Sequence, residues 1–539
     1  MTGAATGGAR VLACDLGTTS AKTCVYRIGE GGARLEASAA AEYPLRFVPG
    51  GGAEQDPEDW WRAVASTSRE ALERADIGGG EIAGVAFCCQ MQGLVLADAA
   101  GSPVRPAMSY MDQRAAAQRD RGLRRGLRLA GMEARKLLPS LAIAGGVSAS
   151  AKDPVWKYHW VRENEPEAFS RARLWLDAKE YLVMRCTGRA AMTPDSANAT
   201  FLYDTRSGRR GGWSKALCDL FDVDARLLPE VIGAAEVAGP LLPGTAAEMG
   251  LEAGTPVFGG GGDLSLIALG SGATRPGTAH VYMGTSGWVS ASTRKRVVDT
   301  DAYIASIRGA AEGSYNYIAE QETAGKCLEW ARDHLALDEI GVYLQARTVA
   351  DDPERKVASL FEYLGSALGE APAGSGGLIF APWLHGNRSP FEDPSARGMF
   401  FNIGLETGKR AMIRAVIEGV AYHSRWQLEA IRRKVEARGP LRFVGGGARS
   451  ASVAAIFADV LGEEIEVTEA PQNAGALGAA LVCAAGLGLV PSLEDAGALV
   501  GAVASYRPRP ESRRVYDRQF GVFKALYRDN KRSFRALNG

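Results

Sequence analysis

Within eight residues, Asp15-Leu16-Gly17-Thr18-Thr19-Ser20-Ala21-Lys22 carries a carboxylate, a glycine, three hydroxyls and an ammonium group. Glycine lets the backbone approach a phosphate closely, and successive N–H groups with Thr and Ser hydroxyls can cradle its oxygens. A carboxylate ending the preceding strand can hold Mg2+, usually through water, because that ion dehydrates reluctantly. Lys22 can pair with a phosphate. A plain hairpin turn with a strand-end Asp fits the same residues.

Gly259-Gly260-Gly261-Gly262-Asp263 is a second candidate. Glycines in series are entropically costly and make sense where the backbone passes close to a ligand or another strand. Asp263 can project into a cleft and take the proton of a hydroxyl attacking phosphorus. It can equally cap the helical run Leu264–Leu269. Gly445-Gly446-Gly447-Ala448-Arg449-Ser450 opens another helix, where bare backbone and a helix N-terminus can pack a nucleotide. A turn with no ligand is the alternative there. Cys88-Cys89-Gln90-Met91-Gln92-Gly93 ends an apolar strand and offers amides to sugar hydroxyls or to solvent. The stretch 381–398, APWLHGNRSPFEDPSARG, reads as an ordered functional loop or a rigid structural one. No GxxxxGK[ST] phosphate loop and no HExxH zinc motif occurs.

The elements that must position these groups are α/β throughout. Val11–Asp15 reads as a buried strand entering a tight turn, with Lys22–Ile28 returning. Asp56-Pro57 opens a helix whose stripe is Trp60, Trp61, Val64 and Ala65. Ile82–Cys89 is apolar enough for a sheet covered on both faces. Helices are expected over Gln113–Arg128 and Asp177–Cys186. The order repeats in the second half: Val257–Phe258 before the glycines, His280–Met283 before Gly284-Thr285-Ser286, Trp288–Ser292 after it, then Arg442–Val444 before Gly445. Two strand, Gly-Thr turn, strand units half a chain apart suggest a duplicated α/β unit. The boundary is expected near residues 262–272, and the charged tail from Tyr506 should form a helix on the second unit.

With 539 residues the chain is too long for one core, and two large domains follow. Lys plus Arg and Asp plus Glu number 62 each, so no basic excess attracts nucleic acid. No segment reads as a signal peptide or membrane span. The eight Cys show no CxxC and read as buried reduced thiols, which favours a cytoplasmic location. A homodimer is the default expectation for assembly.

Taken in order, these segments resemble the FGGY family of carbohydrate kinases, in its xylulokinase-like branch. The resemblance runs over roughly residues 10–500. It rests on DLGTTSAK, GGAEQDPEDWW (51–61), QMQG (90–93), YMDQR (110–114), NEPEAF (164–169), GGGGD (259–263) and GTSG (284–287). HGNRSPFEDPSARG (385–398), RAVIEGVAYH (414–423), GGGARS (445–450) and GALGAA (475–480) complete it. The resemblance implies two actin-like domains of the ribonuclease H-like, hexokinase-type fold, with ATP in the interdomain cleft. Residues 1–265 would hold the sugar and the first phosphate loop, 266–505 the nucleotide, and 506–539 would be a helical tail.

By the same resemblance, Asp15 is the Mg2+-associated carboxylate and Asp263 the general base, with a share in the metal site. Thr18, Thr19, Ser20 and Lys22 form the first phosphate loop, and Gly284, Thr285 and Ser286 the second. Gly325 and Glu329 lie near the nucleotide, and Gly446, Gly447 and Arg449 line the adenosine pocket. Gln90, Met91, Gln92 and Asp112 join Asp263 at the sugar. Departures cluster there: Gln92 stands for a usual His, Tyr110 for a common Trp, and Asn387 for a Glu. The implied acceptor is a ketopentose such as D-xylulose, with ribulose, another ketose or a polyol as alternatives. An actin-fold ATPase without a sugar, or a silent sugar sensor, is the alternative of another class.

Overall fold

A computed structural model of the chain describes residues 8–206, 211–336, 368–369 and 371–539. Its first sheet contains β1 (Ala9–Leu16), β2 (Ser20–Gly29), β3 (Gly32–Glu42), β4 (Ile82–Cys89), β5 (Val237–Pro240), β6 (Pro256–Phe258) and the short β7 (Gly261–Gly262). The strand order is β5-β6-β4-β1-β2-β3, with β7 also pairing β4. β1, β2 and β3 run antiparallel, while β4 lies parallel to β1 and β6 parallel to β4.

β1 is apolar on both faces because both are covered. Leu12, Cys14 and Leu16 pack with Trp60, Trp61 and Val64 of α1 (Pro57–Ala75). The side chain of Asp56 caps α1 by accepting the Glu58 N–H at 3.0 Å, with Pro57 leading the first turn. Two further helices of this half matter below, α2 (Pro154–Asn164) and α3 (Ala178–Thr187). The helix expected over Gln113–Arg128 is shorter, Ala116–Leu123. Asp112 takes the Arg114 N–H at 3.0 Å, a local turn that holds the preceding residues out of the helix.

The helix α4 (Asp263–Gly270) leads to the second sheet: β8 (Thr278–Met283), β9 (Gly287–Thr293), β10 (Val298–Asp299), β11 (Ile304–Arg308), β12 (Tyr315–Gln321), β13 (Arg438–Val444), β14 (Ile465–Thr468) and β15 (Ala502–Tyr506). Its order is β10-β11-β12-β9-β8-β13-β14-β15. β8, β9 and β12 are antiparallel neighbours, and β13 lies parallel to β8 and β14 to β13. This repeats the arrangement of β1, β2, β3, β4 and β6, so the two Gly-Thr turns occupy equivalent places, after β1 and after β8.

Four more helices surround this sheet or cross from it: α5 (Gly325–Ala331), α6 (Lys409–Arg432), α7 (Ala451–Leu461) and α8 (Ala474–Gly486). α8 belongs to the second half of the sequence but covers the other face of the first sheet. Ala476, Ala480 and Cys483 pack with Val11, Ala13, Cys24 and Cys88, and with Leu266 and Leu269 of α4. The charged tail forms α9 (Pro510–Asn538), whose Tyr516, Phe520, Phe523 and Phe534 join Val416, Tyr422 and Phe457 in the second core. All eight Cys are unpaired and buried. Among the described residues, no helix is long and apolar enough to cross a membrane.

Candidate active site

Asp15 lies near the C-terminal end of β1, opposite Cys88 of β4, and β7 runs along the other side of β4 with Gly262 opposite Cys89. Asp263 follows β7 directly and begins α4. Two parallel steps of about 4.8 Å, with Asp263 two residues further along, place the backbones carrying the two carboxylates roughly 10–12 Å apart, at the C-terminal end of the same strands. Both side chains keep a partly open face.

The glycine run makes this placement possible. Gly260 has φ +69°, and a Cβ there would lie 2.3 Å from the Phe87 carbonyl oxygen, so the chain must be bare to cross β4 so closely. Asp195, which the sequence reading missed, fixes the same segment. It is 1% exposed, accepts the Gly262 N–H at 2.7 Å, and takes the Thr193 hydroxyl at 2.5 Å. Its signal in the sequence is only an Asp near a helix start, shared by many capping residues. Asp263 itself accepts the Leu264 N–H at 2.8 Å, so one oxygen steadies the helix start, and the residue stays partly exposed.

The electrostatics follow from burial. Burial pushes the Asp263 carboxyl up to about 7; the Leu264 N–H opposes this, while negative charge on Asp15, Glu320 and Asp177 adds to it. Burial also raises Asp15, against Lys22 and the Cys88 thiol, which pull it down. Lys22 stands opposite Asp15 in the β1–β2 register and reaches Asn473 Oδ1 at 2.9 Å. That contact joins the first turn to the start of α8, where a Cβ on Gly475 would lie 2.4 Å from Asp15 Oδ2. Tyr282 of β8 brings in the second sheet: its ring stacks on Trp288, and burial, then Asp15 and Asp263, raise its phenol.

Each Gly-Thr turn is braced from behind. In the first, the Gly17 N–H reaches the Ser20 carbonyl at 2.9 Å, the Thr18 carbonyl accepts from Gln55 at 2.7 Å, and the Gly17 carbonyl accepts from the Tyr43 hydroxyl. In the second, Gly325 N–H donates to the Gly284 carbonyl at 2.7 Å, and Ala324 and Lys326 donate to that of Thr285 at 3.1 and 3.2 Å. With their carbonyls held back, Thr18, Thr19, Thr285 and Ser286 can turn N–H and hydroxyl groups toward an anion. Gly325 thus shapes the second turn from behind. Gly445 and Gly447 pack against Met283, the last residue of β8, which sets the third glycine turn beside the second. Apart from its chain neighbours, a Cβ on Gly446 would meet no atom of the described residues within 4 Å.

The Gln90–Gly93 loop rests on two buried groups that sequence reasoning overlooked. Lys157 of α2, fully buried, donates to the Gln92 carbonyl at 2.7 Å, and Asp177 accepts the Gly93 N–H at 3.1 Å. They hold Gln92 at φ 64°. Burial lowers Lys157 to about 8 and raises Asp177 to about 7. Met91 packs against Gly262, joining this loop to Asp263.

Asp112, expected at the sugar, is instead fully buried, with its oxygens taken by Arg114 and by the Ala53 N–H at 2.9 Å, so it braces the segment from within. Glu329 pairs with Lys326 at 3.2 Å on α5. Arg449 lies exposed on the turn before α7. Of the departures, Tyr110 places its hydroxyl 3.2 Å from Thr18 Oγ1, a contact to the phosphate turn itself. Asn387 is buried within its own loop, donating to the Phe391 carbonyl at 2.8 Å, while its neighbour Arg388 pairs with Glu320 and Glu322.

No group of three or more His, Cys, Asp or Glu suited to a metal occurs among the described residues. Two carboxylates at an open edge fit Mg2+ carried on phosphate oxygens with most of its water retained, and do not fit a protein-caged ion.

The FGGY family of carbohydrate kinases matches in both halves, its N-terminal domain over residues 10–270 and its C-terminal domain over 279–487. The chain belongs to this family. The FGGY kinase is 30% identical over 530 residues to a xylulose kinase of Lactococcus lactis, covering 96% of each chain. It is 28% identical over 514 residues to a glycerol kinase of Cereibacter sphaeroides, covering 93% of this chain and 95% of the relative. The solved xylulose kinase of Rhodospirillum rubrum superposes with a TM-score of 0.79 at 25% identity, covering 98% of this chain and all of that one, 100%. The paired sheets are the actin-like fold of these sugar kinases. The protein is thus an ATP-dependent sugar kinase of the FGGY family.

Proposed function

We propose that this FGGY kinase moves the γ-phosphate of ATP to a hydroxyl of a ketopentose, with D-xylulose the first candidate. The observation that carries the reading is Asp15 and Asp263 flanking the C-terminal end of β4, beside two braced Gly-Thr turns. Asp263 aligns the acceptor hydroxyl and takes its proton as the oxygen attacks phosphorus in line. A carboxyl whose proton affinity is raised to about 7 by burial is matched to that task near neutral pH. Thr18, Thr19, Ser20 and Lys22 hold one side of the triphosphate, and Gly284, Thr285 and Ser286 the other. Gly446, Gly447 and Arg449 line the adenosine side, with Gly325 and Glu329 behind it. Gln90, Met91 and Gln92 face the sugar.

Asp15 and Asp263 would hold Mg2+ through water, and the ion would supply charge neutralisation at the transferring phosphoryl group. Residues 1–265 supply the sugar side and 266–505 the nucleotide side, and their closure excludes water as a competing acceptor. The glycerol kinase relatives stand at similar identity, so polyols form the second reading. The test is ADP release and phosphosugar formation with Mg-ATP over D-xylulose, D-ribulose, L-ribulose, gluconate, glycerol and pentitols. A ketopentose giving the highest kcat/KM supports the proposal. Preference for glycerol or a pentitol replaces its substrate, and no response to any acceptor removes it.

A further inference from the structure

A row of side-chain amides runs from the Gln90 loop to the first phosphate turn. Gln55 is 1% exposed and its Nε2 donates to the Thr18 carbonyl at 2.7 Å. Gln90 is 7% exposed and its Nε2 donates to Gln55 Oε1 at 2.8 Å. The direction is fixed by chemistry. A carbonyl only accepts, so Gln55 must turn its NH2 to Thr18 and its oxygen to Gln90. Gln90 must then present its NH2 to Gln55, which leaves Gln90 Oε1 at the far end. That oxygen is buried and has no hydrogen-bond partner among the described residues. An unfilled buried acceptor asks for a donor, and a sugar hydroxyl is a donor of the right kind.

We propose that Gln55 is a positioning residue that couples acceptor occupancy to the first phosphate turn. The proposal rests on the reading of Gln90 as a sugar contact. A hydroxyl donating to Gln90 Oε1 polarises both amides in the same sense and strengthens the last bond, to the Thr18 carbonyl. That bond holds the turn with its N–H groups and the Thr18 hydroxyl directed at phosphate. Tyr110, 3.2 Å from Thr18 Oγ1, bears on the same residue from the adjoining segment. Without the sugar, the row ends on an unpaired acceptor and the turn is held less firmly, so phosphoryl transfer waits for the acceptor.

Linkage gives a readout that general damage does not imitate. If sugar tightens nucleotide binding by some factor, nucleotide must tighten sugar by the same factor. Calorimetry with the nonhydrolysable analogue AMP-PNP and Mg2+, with and without saturating D-xylulose, measures it in both directions. For the wild-type chain a factor of about 10 is expected, within the usual range of ~5–150-fold. Gln55→Met keeps length and bulk but neither donates nor accepts amide bonds; its factor should fall below about 2 while each ligand alone still binds. The ratio of phosphosugar formed to ADP released should fall with it. If thermal melting shows Q55M unfolded, Gln55→Glu serves: it keeps an acceptor for Gln90 but cannot donate to Thr18, and it should lose the coupling as well. A variant that keeps the wild-type factor overturns the relay. So does a wild-type chain that phosphorylates the sugar with no coupling at all, an outcome that leaves the kinase reading intact. A wild-type chain that neither binds nor phosphorylates any sugar removes both.

Discussion

Replacing Asp263 by Asn keeps the shape of the side chain and its bond from the Leu264 N–H, and removes only the capacity to take a proton. If Asp263 is the base, turnover should fall by about 10²–10⁴-fold, which is about 3–5 kcal/mol of barrier. The pH profile gives a second, independent number. With a carboxyl pushed up to about 7, about a tenth is ionised at pH 6 and about nine tenths at pH 8. The base acts when ionised, so wild-type kcat/KM for the sugar should rise about tenfold between those values, and the residual activity of D263N should not.

Stability moves the other way. The folded-state value lies above the ordinary 3.8, so the folded protein binds this proton more tightly than the unfolded chain. The favourable contribution is complete below about 3.8 and is lost as pH rises through about 7. At pH 8 the wild type carries an ionised, partly buried carboxylate that D263N lacks. The rise from 3.8 to about 7 sets a ceiling of about 4 kcal/mol. Solvent on the open face reduces it, so a gain of about 1–3 kcal/mol is expected for D263N at pH 8 and almost none at pH 4. Coupled ADP-release kinetics from pH 5.5 to 8.5 and chemical denaturation at pH 4 and 8 measure both effects. An Asn variant within tenfold of wild-type turnover refutes the role as base. A wild-type profile flat over that range, or a variant no more stable at pH 8, refutes the electrostatic account.

Asp15→Asn should lower turnover by about 10²-fold and raise the Mg2+ concentration needed for half-maximal rate, read by titrating Mg2+ at fixed ATP; an unchanged Mg2+ curve would separate Asp15 from the metal. Asp195→Ala leaves the buried Gly262 N–H without its acceptor, which costs about 1–3 kcal/mol in denaturation and should depress kcat more than KM by loosening the segment that carries Asp263.

The local grammar was written in the sequence. Strand β1 and its turn, the Asp56-Pro57 helix start, the apolar β4 and the second Gly-Thr turn all follow from short-range patterns, because strand alternation, capping and turn chemistry act over a few residues. The family resemblance ties Asp15 and Asp263 to one site. Tertiary structure decided what depends on distant segments meeting. α8 crosses from the late sequence to cover β1 and bring Gly475 against Asp15. Lys157, Asp177 and Asp195 became supports of the two site loops only once α2, α3 and the residues before Gly262 packed together. Asp112 turned inward because the Ala53 N–H, 59 residues away, joins the neighbouring Arg114 in satisfying its charge. A buried polar side chain is defined by its partners, and partners separated by tens or hundreds of residues leave no mark in a one-dimensional pattern.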